Sequence, residues 1–238
     1  MGFARFQIGL DVPYANDVPD PSDYGLYSEL RRRWCADLYR ITHPEHGRAC
    51  VNVPIDVAGR TGRSHQEISP RPIYADWLHD LLATGFQYRA TILWWDNHGG
   101  LGTGRGTPDP SAIHTYAPAE AIIVVYRGQS WKRIQDDPRD HDLGHDDWLA
   151  LAGPRGCWTF PGVSDPCHPA PFPEELVRRC LRLYTYRGDL AVDPFCGRGT
   201  TPVVAVGLGR RIRASDLASD YVSLTRERVA LARAAVQS

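Results

Sequence analysis

Asp193-Pro194-Phe195-Cys196-Gly197-Arg198-Gly199-Thr200-Thr201 joins two apolar runs of different character. Ahead of it, Asp189-Leu190-Ala191-Val192 reads as a short buried strand. Behind it, Pro202-Val203-Val204-Ala205-Val206-Gly207-Leu208 reads as the opening of a helix. A strand, a glycine turn and a helix start make a cradle, because glycine lets the backbone approach a ligand where a Cβ would collide. Asp216 follows Gly197 by nineteen residues, after Arg211-Ile212-Arg213-Ala214-Ser215. In a doubly wound sheet that distance carries a carboxylate to the end of the next strand, where it can meet ribose hydroxyls. The turn lacks Gly-Lys-Ser/Thr, which argues against a loop cradling a triphosphate.

A second cluster lies at the other end of the chain. Residues 3–12 read as a strand that ends in Asp11-Val12-Pro13-Tyr14. A carboxylate, a backbone carbonyl and an aromatic ring then converge at a strand's C-terminal end, where open α/β sheets keep their active sites.

Taken together, the two clusters resemble the amino-methylating DNA methyltransferases, which modify adenine N6 or cytosine N4. The family's cofactor motif, Asp-Pro-Phe-x-Gly-x-Gly-Thr, is matched in full by residues 193–200. Its catalytic motif, Asp/Ser/Asn-Pro-Pro-Tyr/Phe, is matched by residues 11–14 with Val12 in place of the first proline. His168-Pro169-Ala170-Pro171-Phe172-Pro173-Glu174 is similar to the segment that precedes the cofactor strand in that family. The order, catalytic motif first and cofactor motif last, is that of the permuted β group.

The resemblance implies a Rossmann-like α/β methyltransferase fold, with a mostly parallel sheet and helices on both faces. It implies S-adenosyl-L-methionine as cofactor, with Asp193, Phe195, Gly197, Gly199 and Thr200 lining its site. Asp216 would hold the ribose, and His168 and Phe172 would enclose the methionine end. Asp11 and the Val12 carbonyl would accept hydrogen bonds from an exocyclic amine. That amine is a poor nucleophile because its lone pair is delocalised into the ring. Positioning and electrostatics would then do most of the work. Pro13 would stiffen the turn, and Tyr14 would stack on a base flipped out of the duplex. Asn16 is a candidate base contact and Arg105 a candidate phosphate contact. Asp11 tilts the target toward adenine N6.

Double-stranded DNA is the expected partner. A homodimer and a cognate restriction endonuclease are further partners the family suggests. The rival readings are methyl transfer to RNA or to a protein side-chain amide, a nicotinamide oxidoreductase, and a module that binds cofactor and DNA without turnover.

The remaining sequence supplies the supporting elements. Apolar spacings of three and four predict helices over residues 24–41, 73–84, 174–184 and 219–235, and alternation predicts strands over 48–53, 87–95 and 120–126. Leu26, Leu30, Trp34, Leu38 and Ile41 are the expected core face of the first helix, and Trp77, Leu78, Leu81 and Leu82 that of the second. Strands alternating with helices argue for a sheet of parallel character. The organisation reads as a catalytic half over 1–127, a small variable insert over 128–156 and a cofactor half over 157–238. The insert, acidic and without periodicity, is the candidate target-recognition region.

Composition narrows the class. Hydrophobic residues make up 42% of the 238-residue chain, enough for a core, and the net charge is −1. With no global positive field, nucleic acid must be met by a local basic face. Lys132 is the only lysine, so nearly every cation is an arginine. The six cysteines form no CxxC pair, which fits reduced thiols, and Cys196 reads as loop packing. No leader or membrane-length apolar run is visible, so a soluble, cytoplasmic protein without a membrane partner is expected. No metal is expected. His141 and His145, beside Asp142, Asp146 and Asp147, have the spacing for a ligand pair only on a helix, which the stretch does not convincingly suggest. The glycine run over 99–106 lacks the lysine of a phosphate loop.

Overall fold

A computed structural model describes residues 24–60, 68–95, 104–105, 114–115, 119–128, 142–152, 156–163 and 171–237. Six helices alternate with ten strands among them. The order is α1 (Tyr24–Ile41), β1 (Arg48–Pro54), β2 (Val57–Arg60), β3 (Ile68–Arg71), α2 (Ile73–Ala83), β4 (Gln87–Trp95), β5 (Gly104–Arg105), β6 (His114–Thr115), β7 (Ala119–Tyr126), α3 (His145–Ala152), β8 (Cys157–Thr159), α4 (Glu174–Tyr184), β9 (Leu190–Asp193), α5 (Thr200–Gly207), β10 (Arg211–Ala214) and α6 (Ser219–Gln237).

Four strands form a sheet in the order β1-β7-β4-β8. β1, β4 and β8 point the same way, and β7 runs antiparallel between β1 and β4. β9 and β10 pair in parallel, with Leu190 opposite Arg211 and Asp193 opposite Ala214. The expected Rossmann-like α/β fold is therefore present, with one reversed strand.

The alternation of each strand sorts its side chains onto two faces. Ala49, Val51 and Val53 of β1 join Ala121, Ile123 and Val125 of β7 under α1 and α2. Cys50, Ile122, Val124, Ile92 and Trp94 face the other way, toward α4 and α5. Helices thus cover both faces.

Two helices bury something other than their most apolar stripe. α1 buries Tyr27, Arg31, Cys35 and Leu38, while Leu26 and Ile41 stay exposed. The stripe is rotated because Arg31 turns inward to Asp80 of α2, Nε to Oδ2 at 2.7 Å. α2 correspondingly buries Asp80, and Leu82 is exposed. α4 matches its sequence reading: Leu176, Val177, Cys180 and Leu181 are buried on one face.

Loop placement follows from strand direction. β9, β1 and β4 all end at one edge of the molecule, here called the carboxyl edge. The opposite edge holds the starts of β1 and β4 and the end of β7. Tyr184, the last residue of α4, lies there with Arg48 and Arg89, whose charges act on its phenol. The α4–β9 turn is therefore at the amino edge, and the glycine turn after β9 is at the carboxyl edge. The β2–β3 hairpin follows the end of β1, and the short β5–β6 pair lies between the end of β4 and the start of β7. Both are carried to the carboxyl edge.

The 128–156 segment starts at the amino edge and returns at Gly156, whose carbonyl accepts from Leu93 N–H near the carboxyl end of β4. It leaves the end of β7, and its second half is helical where a loop was expected: α3 starts at His145. Asp142, at φ 41°, is held by the buried Arg210 guanidinium through two bonds of 2.6 and 2.7 Å. Arg182 donates to the Asp142 carbonyl and to Asp147 Oδ2. Among the described residues no group of three or more His, Cys, Asp or Glu could hold a metal ion, and no helix is long and apolar enough to cross a membrane. His141 lies outside the described residues.

Candidate cofactor and active site

The glycine turn is a fixed object. After Asp193, the chain makes two left-handed steps, Gly197 at φ 48° and Gly199 at φ 87°. A Cβ on Gly199 would sit 2.7 Å from Thr225 Oγ1 and 2.9 Å from its Cγ2, so backbone conformation and space both demand glycine there. The turn is braced from β10 and α6. Cys196 N–H donates to the Ser215 carbonyl at 3.0 Å, and Ser215 N–H to the Asp193 carbonyl at 3.0 Å. Thr225 Oγ1 donates to the Gly197 carbonyl at 3.1 Å, and Arg228 to the Arg198 carbonyl at 2.6 Å.

Asp216 sits where the sequence spacing put it. Its Oδ2 accepts the Gly197 N–H at 2.8 Å, and its Oδ1 accepts the Ala218 N–H at 3.0 Å. A carboxylate offers about four lone-pair positions, so two remain for hydroxyl donors. The residue thus braces the turn, a role the spacing alone did not reveal, and keeps acceptor positions for hydroxyl donors.

Asp193 is fully buried at the end of β9. Its Oδ1 accepts the Phe195 N–H at 3.0 Å. Its Oδ2 and the buried Thr201 Oγ1 at the start of α5 lie outside good hydrogen-bond geometry, yet Thr201 is near enough to favour the carboxylate. Burial, with the Asp216 charge adding, pushes the Asp193 carboxyl up to about 6, against Thr201 and the Phe195 amide, which favour its anion. Cys196 is also buried, and burial first, then Asp193, pushes its thiol up to about 11. A thiol held neutral in this way suits packing rather than nucleophilic attack.

The aromatic residues divide between the faces. Phe195 packs edge-on against Trp34 of α1, ring centroids 5.5 Å apart. Phe172 is half-buried against the cluster under α4, with Phe160. The N-terminus of α4 is at the carboxyl edge, so Phe172 shares that edge with the turn. Asp193, Phe195, Gly197, Gly199, Thr200, Asp216 and Phe172 therefore gather at one edge. Asp11, Val12, Pro13, Tyr14, Asn16 and His168 lie outside the described residues, and of Arg105 only its position on β5 is described.

These features fit an adenosylated ligand: two left-handed glycines and a carboxylate with lone pairs to spare. A family profile described as DNA methylase, of N6 and N4 type, matches residues 7–227. The chain belongs to that family. It is an S-adenosylmethionine-dependent DNA methyltransferase by that membership.

Relatives and solved structures agree. The chain is 28% identical to the type II methyltransferase M.MjaVI of Methanocaldococcus jannaschii over 160 residues, 67% of this chain and 74% of that one. It is 28% identical to M.MjaI of the same organism over 187 residues, covering 73% of this chain and 58% of the relative. TTHA0409 of Thermus thermophilus, which carries the name DNA modification methylase and was crystallised with S-adenosyl-L-methionine, superposes with a TM-score of 0.72. The match is 26% identical and covers 97% of this chain and 85% of that one. The cytosine-N4-specific PvuII methyltransferase superposes at 0.65, covering 96% of this chain and 77% of its own; at 18% identity it speaks to the fold alone.

Sequence reasoning missed one polar pair at the same edge. Asn52 on β1 is buried and donates its amide nitrogen to Glu120 of β7. The only signal was a lone asparagine inside the apolar run Ala49–Pro54.

Proposed function

We propose that the protein transfers a methyl group to the exocyclic amine of a base flipped out of duplex DNA, with adenine N6 favoured over cytosine N4. The observation that carries this reading is the braced glycine turn sharing its edge with Phe172 and with the start of α1, ten residues beyond Tyr14. The cofactor, when bound, supplies an electrophilic sulfonium methyl. Asp216, Gly197 and Gly199 would hold it at the ribose and backbone, and Phe172 with His168 would enclose its methionine end.

The chain's own residues then act on the acceptor. Asp11 and the Val12 carbonyl would accept hydrogen bonds from the two amine N–H groups and favour a pyramidal nitrogen with its lone pair in line, and the one proton released on methyl transfer would pass to the Asp11 carboxylate. Tyr14 stacks on the base, and Pro13 fixes the turn between them. Val12 uses only its carbonyl, so its side chain is tolerated.

Phosphate contact falls to the carboxyl-edge segments. Residues 57–71 carry Arg60, Arg63 and Arg71 against one acid, Glu67. Arg105 and Asn16 join them as contacts. The 128–156 segment is acidic, and its Asp142 is latched at the far edge, which makes that part the poorer partner for a polyanion.

The test is incubation of the purified protein with tritiated S-adenosylmethionine and unmethylated mixed-sequence duplex DNA, followed by digestion to nucleosides. Label in N6-methyldeoxyadenosine is expected. Label in N4-methyldeoxycytidine would keep the reaction and reverse the base. Label in RNA or protein alone would overturn the reading. Asp11→Ala is expected to abolish transfer while leaving cofactor affinity within a few-fold.

A further inference from the structure

Arg71 closes β3 at the foot of the β2–β3 hairpin, opposite Val57. Tyr74 N–H donates to the Ile55 carbonyl at 3.2 Å, which ties that foot to the chain leaving β1 at the carboxyl edge. Arg71 is half-buried, so it is neither lost in the core nor wholly in solvent. Its Cζ lies over the ring of Tyr24, the first residue of α1, 4.4 Å from the centroid. The ring itself is held. Its hydroxyl donates to Asp76 Oδ2, and Tyr27 packs beside it with centroids 5.8 Å apart.

The carboxylates nearby are engaged by other donors. Asp80 accepts Arg31 Nε at 2.7 Å, and Asp76 takes the Tyr24 hydroxyl and lies 3.6 Å from Arg31 Nη1. Arg31 also approaches the Tyr24 ring, 5.9 Å from its centroid, but its donors go to these two acids. Arg71 enters no ion pair among the described residues, so it balances charge here at a distance and keeps its donors. A guanidinium lying over a ring sets its charge against the π face and leaves its in-plane N–H groups at the rim. Those groups match two oxygens of one phosphate. A side chain already held in this way has little rotamer freedom left to lose on binding.

We infer that Arg71 grips a backbone phosphate of the bound DNA, with Tyr24 as the positioning residue that aims it. This rests on the proposed base-methylating function. A phosphate contact carries no sequence information, so Arg71 sets affinity and register and leaves the choice of site to other groups.

The experiment compares wild type, Arg71→Ala, Tyr24→Phe and Tyr24→Leu. It uses tritiated S-adenosylmethionine and unmethylated phage DNA at several salt concentrations, thermal melts, and sequencing that maps the methylated sites. Arg71→Ala should raise KM for DNA at least about three-fold at low salt, keep kcat within about two-fold, and lower the slope of log KM against log salt by about one. Its site map should match that of wild type. It should melt within about 4 °C of wild type, the worth of one exposed cation–π contact. Tyr24→Phe keeps the ring and should restore a KM within about two-fold of wild type, whereas Tyr24→Leu keeps the charge and loses the platform. Its KM should rise while its salt slope stays as in wild type. A larger drop in the melting temperature of Arg71→Ala, in step with kcat, would make the stack a structural pin and overturn the inference. An altered site map would make Arg71 a reader of bases and overturn it as well. An unchanged KM and salt slope in Arg71→Ala, beside an active wild type, strike the inference alone. A wild type that labels no DNA base strikes the proposed function, and the inference falls with it.

Discussion

The two edges of this protein are built on opposite rules. At the amino edge, Arg210 is fully buried and directs its donors to both Asp142 oxygens, to the Thr185 carbonyl and hydroxyl and to the Leu208 carbonyl. Charge is met by charge, and the arrangement is closed. At the carboxyl edge the backbone is held just as firmly, but the buried Asn52 Oδ1, Asp193 Oδ2 and Thr201 Oγ1 lie outside good hydrogen-bond geometry. The Arg210 latch, which only has to hold, satisfies its own polar groups internally. An edge that must receive a ligand holds some polar groups less completely, and the fold as a whole absorbs that cost.

Breaking the closed edge should have the largest effect on stability. Arg210→Met leaves Asp142 buried beside fewer cations and should cost about 3–5 kcal/mol, a drop of roughly 6–20 °C in melting temperature for a chain of this size. Thermal melts check this, and an unchanged melting point would mean the latch is ornamental. Gly199→Ala comes next. Its Cβ meets Thr225 at 2.7 Å in a left-handed backbone, so cofactor binding should fall at least ten-fold in a titration, with a loss of stability of about 1–3 kcal/mol. Asp216→Ala should weaken cofactor affinity by about 1–3 kcal/mol and loosen the turn it braces.

The smallest effect is a pH dependence at the open edge. The Asp193 carboxyl is raised to about 6 by burial and Asp216, against about 3.9 in an unfolded chain. The folded state therefore binds the proton more tightly than the unfolded one. Its contribution to stability is complete below about pH 4 and is lost as pH rises through 6. Asp193→Asn should remove that slope, so melts of the ligand-free protein between pH 4 and 7 should be flatter for the variant than for wild type. Parallel curves would contradict the assignment.

The two edges also differ in how legible they were. The glycine turn, its flanking strand and Asp216 could be read directly, because left-handed glycines and a fixed strand-to-strand spacing leave marks in sequence. α4 could be read for its apolar stripe. The stripe of α1 was misjudged by one residue because Arg31 is buried by a partner on another helix, which no local pattern encodes. α3 was hidden by a first turn of Asp146 and Asp147, residues that look like loop but favour a helix start. β2, β3 and β8 are too short for alternation to register. Asn52 escaped because its partner, Glu120, sits on another strand.

The brace on the glycine turn has a consequence in time. The groups that brace the turn by hydrogen bonds from β10 and α6, Ser215, Asp216, Thr225 and Arg228, are translated after it. Chains fold as they emerge, amino end first. A nascent chain can thus pair β1, β7 and β4 while its glycine turn is still unbraced. The cofactor can report only on a chain whose synthesis has passed α6.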